Sequence, residues 1–127
     1  MSNTTGMRFT KEHEWVKIED GKAYVGITDH AQNSLGNIVF VELPEIDNDV
    51  CSGDTIASVE SVKTVSDVYS PISGKVIEVN SNLENDPGLL NNDPYGSYIA
   101  ILEVSDASNL ENLMDESQYQ SYCEEEH

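Results

Sequence analysis

The sequence predicts a mainly β fold, a small flattened β-barrel or sandwich with short helices and one C-terminal helix. Three features predict it: many short segments rich in Val, Ile, Thr and Tyr, turn residues between them, and helical spacing of apolar residues at the C-terminal end. The 127 residues suit a single domain over 1–127, with a β core over about 9–104, a helical segment over 108–123 and flexible termini. A hydrophobic content of 38% is enough for one modest core.

Trp15-Val16-Lys17-Ile18 and Lys22-Ala23-Tyr24-Val25 flank Glu19-Asp20-Gly21, and the Asp-Gly step supplies the positive φ of a hairpin turn. Thr28 offers an N-cap to a short helix through Ala31 and Leu35, which Gly36 can close in the left-handed region. Ile38 to Leu43 is nearly continuously apolar and reads as a mostly buried strand ended by Pro44, followed by a loop rich in Asp and Asn. Asp54 to Glu60 and Thr64 to Tyr69 read as paired strands, stopped by Pro71 and Gly74. Lys75 to Val79 is a further strand, Pro87-Gly88-Leu89-Leu90 a helical turn, and Ser97 to Val104 the last strand. Leu110, Leu113 and Met114, then Tyr119, Tyr122 and Cys123, recur at helical spacing, and the first set is expected to pack on the β core. Glu124, Glu125 and Glu126 oppose the helix dipole at that end, so a frayed tail is expected.

The balance of 24 acidic to 6 basic residues, net −18, argues against nucleic-acid or anionic-membrane surfaces and suits basic partner surfaces or plain solubility. The N-terminal residues lack the apolar run of a signal peptide and the arginines of a transit peptide. A bacterial cytoplasmic protein is the expectation, with a mature mitochondrial matrix form as the alternative. Cys51 and Cys123 have neither CxxC nor metal-ligand spacing and read as two free thiols. His13-Glu14 lacks the second histidine of a zinc-protease helix, since position 17 is Lys17, so no metal is assigned. His13 and His30 read as structural residues. Ser61 and Ser66 lack the glycine-rich elbow of a serine hydrolase, and no catalytic residue is assigned.

Lys63 is the one Lys or Arg between Lys22 and Lys75. It falls at or near a hairpin tip, where a residue can enter another protein's active site without unfolding its own scaffold. On composition alone it is a soluble turn residue; its surroundings carry the other reading. Glu60-Ser61-Val62-Lys63, Val68 and Pro71-Ile72-Ser73-Gly74-Lys75-Val76 resemble a lipoyl-attachment motif. His13-Glu14-Trp15-Val16, Val25-Gly26-Ile27-Thr28, Ala31-Gln32, Leu35-Gly36, Val39 to Pro44, Val79-Asn80 and Asp93-Pro94-Tyr95-Gly96 are similar to the H-protein family of the glycine cleavage system. These blocks run from Phe9 to the C-terminal segment. Thr64, Asn37 and Tyr98 depart from that family's usual alanine, acid and tryptophan.

The resemblance implies a barrel-sandwich hybrid fold of lipoyl type. It also implies a carrier, not an enzyme, with lipoic acid covalently on Lys63 and with Glu60, Ser61, Val62 and Thr64 forming the hairpin read by lipoylating enzymes. The implied partners are glycine decarboxylase, which loads an aminomethyl group on the swinging arm, aminomethyltransferase, which takes it, and dihydrolipoamide dehydrogenase, which accepts the electrons. Glu14 and Asp67 match acids that hold the loaded arm in a cleft; read without the family, both are solvated surface carboxylates. Alternatives are a lipoyl relay carrier for other dehydrogenase complexes and a biotinyl-type carrier, although Val62 and Thr64 stand where biotinyl domains have methionines.

Overall fold

The computed structural model describes residues 7–106 and 113–125. Among the described residues nine strands form two antiparallel sheets: β1 (Met7–Phe9), β2 (Glu14–Glu19), β3 (Lys22–Ile27), β4 (Ile38–Glu42), β5 (Asp49–Val50), β6 (Thr55–Ser61), β7 (Val65–Tyr69), β8 (Ser73–Val79) and β9 (Ala100–Asp106). The larger sheet has the order β1-β2-β3-β9-β8-β5 and the smaller β4-β6-β7, so the arrangement is a sandwich rather than a closed barrel. Helices are α1 (Asp29–Leu35), α2 (Asn82–Asn85), α3 (Leu89–Asn92) and α4 (Glu116–Glu125). Among the described residues no helix is long and apolar enough to cross a membrane.

The main core includes Val16, Val25, Val41, Val59, Val68, Ile72, Val76 and Leu102, drawn from both sheets. Successive β2 residues Glu14, Trp15 and Val16 are all buried, because each side of this strand is covered. Val16 belongs to the main core, whereas Trp15 joins Met7, Phe9 and Tyr119 in a second cluster that seats α4. Trp15 donates its Nε1–H to the Pro94 carbonyl at 3.0 Å, and Phe9 stacks on Tyr119 at 4.7 Å. Gly26 lies opposite Trp15, and a Cβ there would come within 2.7 Å of the indole.

The Asp20-Gly21 turn has φ of 52° and 77°, as the hairpin reading requires. Thr28 caps α1 by accepting from Ala31 N–H. Gly36 has φ 81° but ψ −155°, so the chain leaves α1 outside the left-handed helical region expected, in a conformation essentially reserved for glycine.

Four further expectations are corrected. In β4 only Ile38 and Val41 are buried, and Val39 and Phe40 are exposed, because β4 is the outer strand of the small sheet with a register shift between Ile38 and Phe40. The segment after Pro44 contains a short strand, β5, paired with β8. Leu113 and Met114 precede α4: Met114 bridges to Phe9 in strand fashion through two backbone hydrogen bonds, which outweigh helical spacing. Leu110 lies outside the described residues. The helix continues through Glu124 and Glu125, with Tyr119 buried beneath it, instead of fraying there; Glu126 also lies outside the described residues.

Candidate functional site

The β6–β7 hairpin ends in Ser61-Val62-Lys63-Thr64, with Glu60 paired to Val65. Neither Val62 nor Lys63 has positive φ, so this tight connection does not use the primed turns that usually close short hairpins. Ser61 compensates. Its Oγ accepts from the N–H groups of Lys63 and Thr64, both at 3.2 Å, and donates to the Thr64 carbonyl, while Ser61 N–H also donates to that carbonyl at 2.8 Å. Ser61 is buried, but Glu60, Val62, Lys63 and Thr64 are exposed, so the turn is fixed from below and open above.

The tip is also tied sideways. Val62 N–H donates to the Asn37 carbonyl at 3.0 Å, a backbone contact that does not depend on the side chain at 37. Asn91 of α3 holds this junction, accepting from Ile38 N–H and donating to Gly36 O and Gln32 Oε1. No sequence signal pointed to Asn91, because its three partners come from distant residues. The Lys63 stem lies over Gly36, where a Cβ would sit 3.2 Å from Lys63 Cε.

A cleft of about 140 Å³ opens beside α1 and β7. Its walls include Leu35, Val59 and Val68 with the acids Glu12, Glu14 and Asp67. The structure thus brings Glu14 and Asp67 to one cleft, with Ser66 and Asp67 on β7, the strand that follows the Lys63 turn. Asp67 is exposed. Glu14 is not the surface carboxylate that its sequence alone suggests: at 2% exposure it accepts from Tyr69 N–H and Thr10 Oγ1–H, both at 2.8 Å. Burial pushes its carboxyl up to about 7, against the lowering effect of those two donors. Glu14 also borders a wider depression of about 430 Å³, lined by Ser52, Tyr69 and Pro71.

His13 and His30, read from sequence as isolated structural residues, stack with ring centres 4.1 Å apart, and Cys123 lies beside them. Cys51 is exposed and is not part of this group, and both cysteines are unbridged.

A two-sheet sandwich with an exposed lysine on a braced hairpin has the form of a carrier domain. A family model described as "Glycine cleavage H-protein" matches residues 7–126. The glycine cleavage system H protein of Thermoanaerobacter sp. (strain X514) is 54% identical over 121 residues, covering 95% of this chain and 96% of that protein. The protein of the same name from Clostridium botulinum (strain Hall) is 51% identical over 125 residues, covering 98% and 96%. A crystal structure of a glycine cleavage system H protein from Mycobacterium marinum superposes with a TM-score of 0.87 at 36% identity, covering 94% of this chain and 97% of that one. The chain belongs to the glycine cleavage H-protein family, and it is a carrier component of the glycine cleavage system rather than a catalytic subunit.

Proposed function

We propose that Lys63 carries lipoate in covalent linkage. On this reading the chain shuttles, in the bacterial cytoplasm, between glycine decarboxylase, aminomethyltransferase and dihydrolipoamide dehydrogenase. One observation carries the reading: Lys63 is an exposed amine on a turn whose shape is set by a buried serine, so a ligase meets a defined hairpin rather than a loose side chain. The residues suit the group. Its attachment neutralises an amine that already faces solvent, and the neighbouring cleft offers apolar walls with carboxylates at its rim.

Lipoate, when attached, supplies a dithiolane that accepts the aminomethyl group and two electrons. The protein positions and shelters. Tethering raises the effective concentration of the arm at a docked active site, and Gly36 leaves room for the lysine stem to lie along α1. Glu14 and Asp67 offer opposite charge to the amine of the cargo, and the cleft limits its exposure to water.

Intact mass and peptide mapping of protein made in a lipoylation-competent host test the assignment. The lipoyl mass increment is expected on Lys63 and absent from Lys63→Arg, which stays folded and is inactive as a carrier. The increment on Lys22 or Lys75, or no increment at all, would refute it.

A further inference from the structure

We infer that His13, His30 and Cys123 form a binding site for zinc. The ligand-capable atoms of these three residues lie within 4.8 Å of one another, and each residue is half-buried. They come from three segments far apart in the chain: the β1–β2 connection, the first turn of α1 and the last turn of α4. Two imidazoles and a thiol are a donor set of the borderline-soft kind that suits zinc, with a fourth position left to water. Zn–N and Zn–S bonds of about 2.0–2.3 Å imply ligand separations of roughly 3.3–3.6 Å in a tetrahedral site. The two imidazoles are stacked at 4.1 Å and 18°, so closing the site requires one ring to turn about its side-chain bonds as well as the donor atoms to draw together by about an ångström.

The surroundings are arranged as metal-ligating histidines require. His13 Nδ1 is 2.7 Å from the Tyr119 hydroxyl, and that hydroxyl is 2.6 Å from Thr28 Oγ1, which also accepts from Ala31 N–H. With Nδ1–H donating to Tyr119 and Tyr119 donating to Thr28, Nε2 of His13 carries the lone pair that a metal takes. The His13 backbone is held at φ 67°, which non-glycine residues seldom adopt, by His13 N–H to Thr10 O and Thr28 N–H to His13 O. A backbone fixed in that conformation points to a constraint on where this ring sits.

The site also meets an electrostatic need. The last turn of α4 has no basic residue to balance the negative end of its dipole, and Glu124 adds to the imbalance. A divalent cation at Cys123 supplies positive charge there, in a chain whose net charge of −18 draws cations. On binding, the Cys123 thiol releases its proton to solvent and the thiolate becomes a ligand, so the ion clamps α4 to α1 and to the β1–β2 connection.

The test uses untagged, unlipoylated protein, and its result is therefore independent of the Lys63 assignment. One equivalent of zinc is expected to slow alkylation of Cys123 at least tenfold, followed by peptide mapping, while Cys51 reacts at its original rate. Cobalt(II) is expected to give one thiolate-to-metal charge-transfer band in the Cys51→Ser protein and none in Cys123→Ser. His30→Asn in the Cys51→Ser background should bind cobalt at least tenfold more weakly. Equal alkylation of Cys123 with and without zinc in the parent protein would overturn the proposal whatever the folding of the variants. So would a cobalt band that survives Cys123→Ser, or unchanged affinity in the His30→Asn protein.

Discussion

Glu14 and Asp67 are carboxylates on one cleft, but burial gives them different chemistry. Asp67 is exposed at the rim, whereas Glu14 is enclosed and its carboxyl is raised to about 7. On the proposed reading, the cationic amine of the cargo favours the ionised form of Glu14 and so strengthens the charge opposite it. Glu14→Gln with Asp67→Asn should preserve the fold, because the glutamine is nearly isosteric and its carbonyl oxygen still accepts from Tyr69 N–H. It should speed spontaneous breakdown of the loaded carrier several-fold, since the exposed Asp67 pair alone is worth about 0.2–1 kcal/mol and the enclosed Glu14 adds to it. The check is formaldehyde release after the decarboxylase is removed, with equal rates in parent and variant counting against the cleft. Glu14 stood out in the sequence only through the family resemblance. Nothing local in Thr10 to Trp15 announces that a strand covered on both sides will bury three residues in succession. At Gly26 the constraint is steric: Gly26→Ala should cost about 1–3 kcal/mol in urea unfolding, because the Trp15 ring is held by the Pro94 carbonyl and cannot retreat cheaply.

The β6–β7 hairpin is the element whose local sequence and observed shape agree best. β-branched flanks and a lone lysine placed the tip correctly, and Ser61 supplies the geometry that the missing positive φ does not. Ser61→Ala should therefore leave the sandwich folded yet slow lipoylation of Lys63 by about fivefold in kcat/KM. Losing the serine's hold on Lys63 N–H and Thr64 N–H removes about 1 kcal/mol of turn order that the ligase must then restore. A modification rate equal to that of the parent would show that the ligase does not depend on the turn being preformed. Elsewhere, elements were less legible where a pattern had two solutions. The apolar run in β4 reads as a buried strand, yet an outer strand with a register shift leaves Val39 and Phe40 facing solvent. Leu113 and Met114 fit a helical stripe, yet the backbone of Met114 pairs with Phe9. α2 gave no signal, being four polar-rich residues stopped by Asp86. The His13, His30 and Cys123 grouping is wholly tertiary, so no spacing in the chain announces it.

At the scale of the whole molecule, most of the charge has one sign. Net −18 on 127 residues creates a long-range negative field, and a carrier that must visit several partners in turn gains more from fast encounter than from tight binding. Steering of this kind acts on approach and not on the chemical step. Raising ionic strength from about 0.01 M to 0.15 M shortens the screening length from about 30 Å to 8 Å. The kcat/KM of dihydrolipoamide dehydrogenase for the reduced, lipoylated carrier should fall about tenfold over that range, with kcat nearly unchanged. Free dihydrolipoamide, which lacks the protein's field, should show little salt dependence with the same enzyme, so the comparison isolates the contribution of the carrier surface. If the carrier and the free substrate respond alike, the acidic surface serves solubility, and partner choice rests on the hairpin and its exposed neighbours Val62 and Val65.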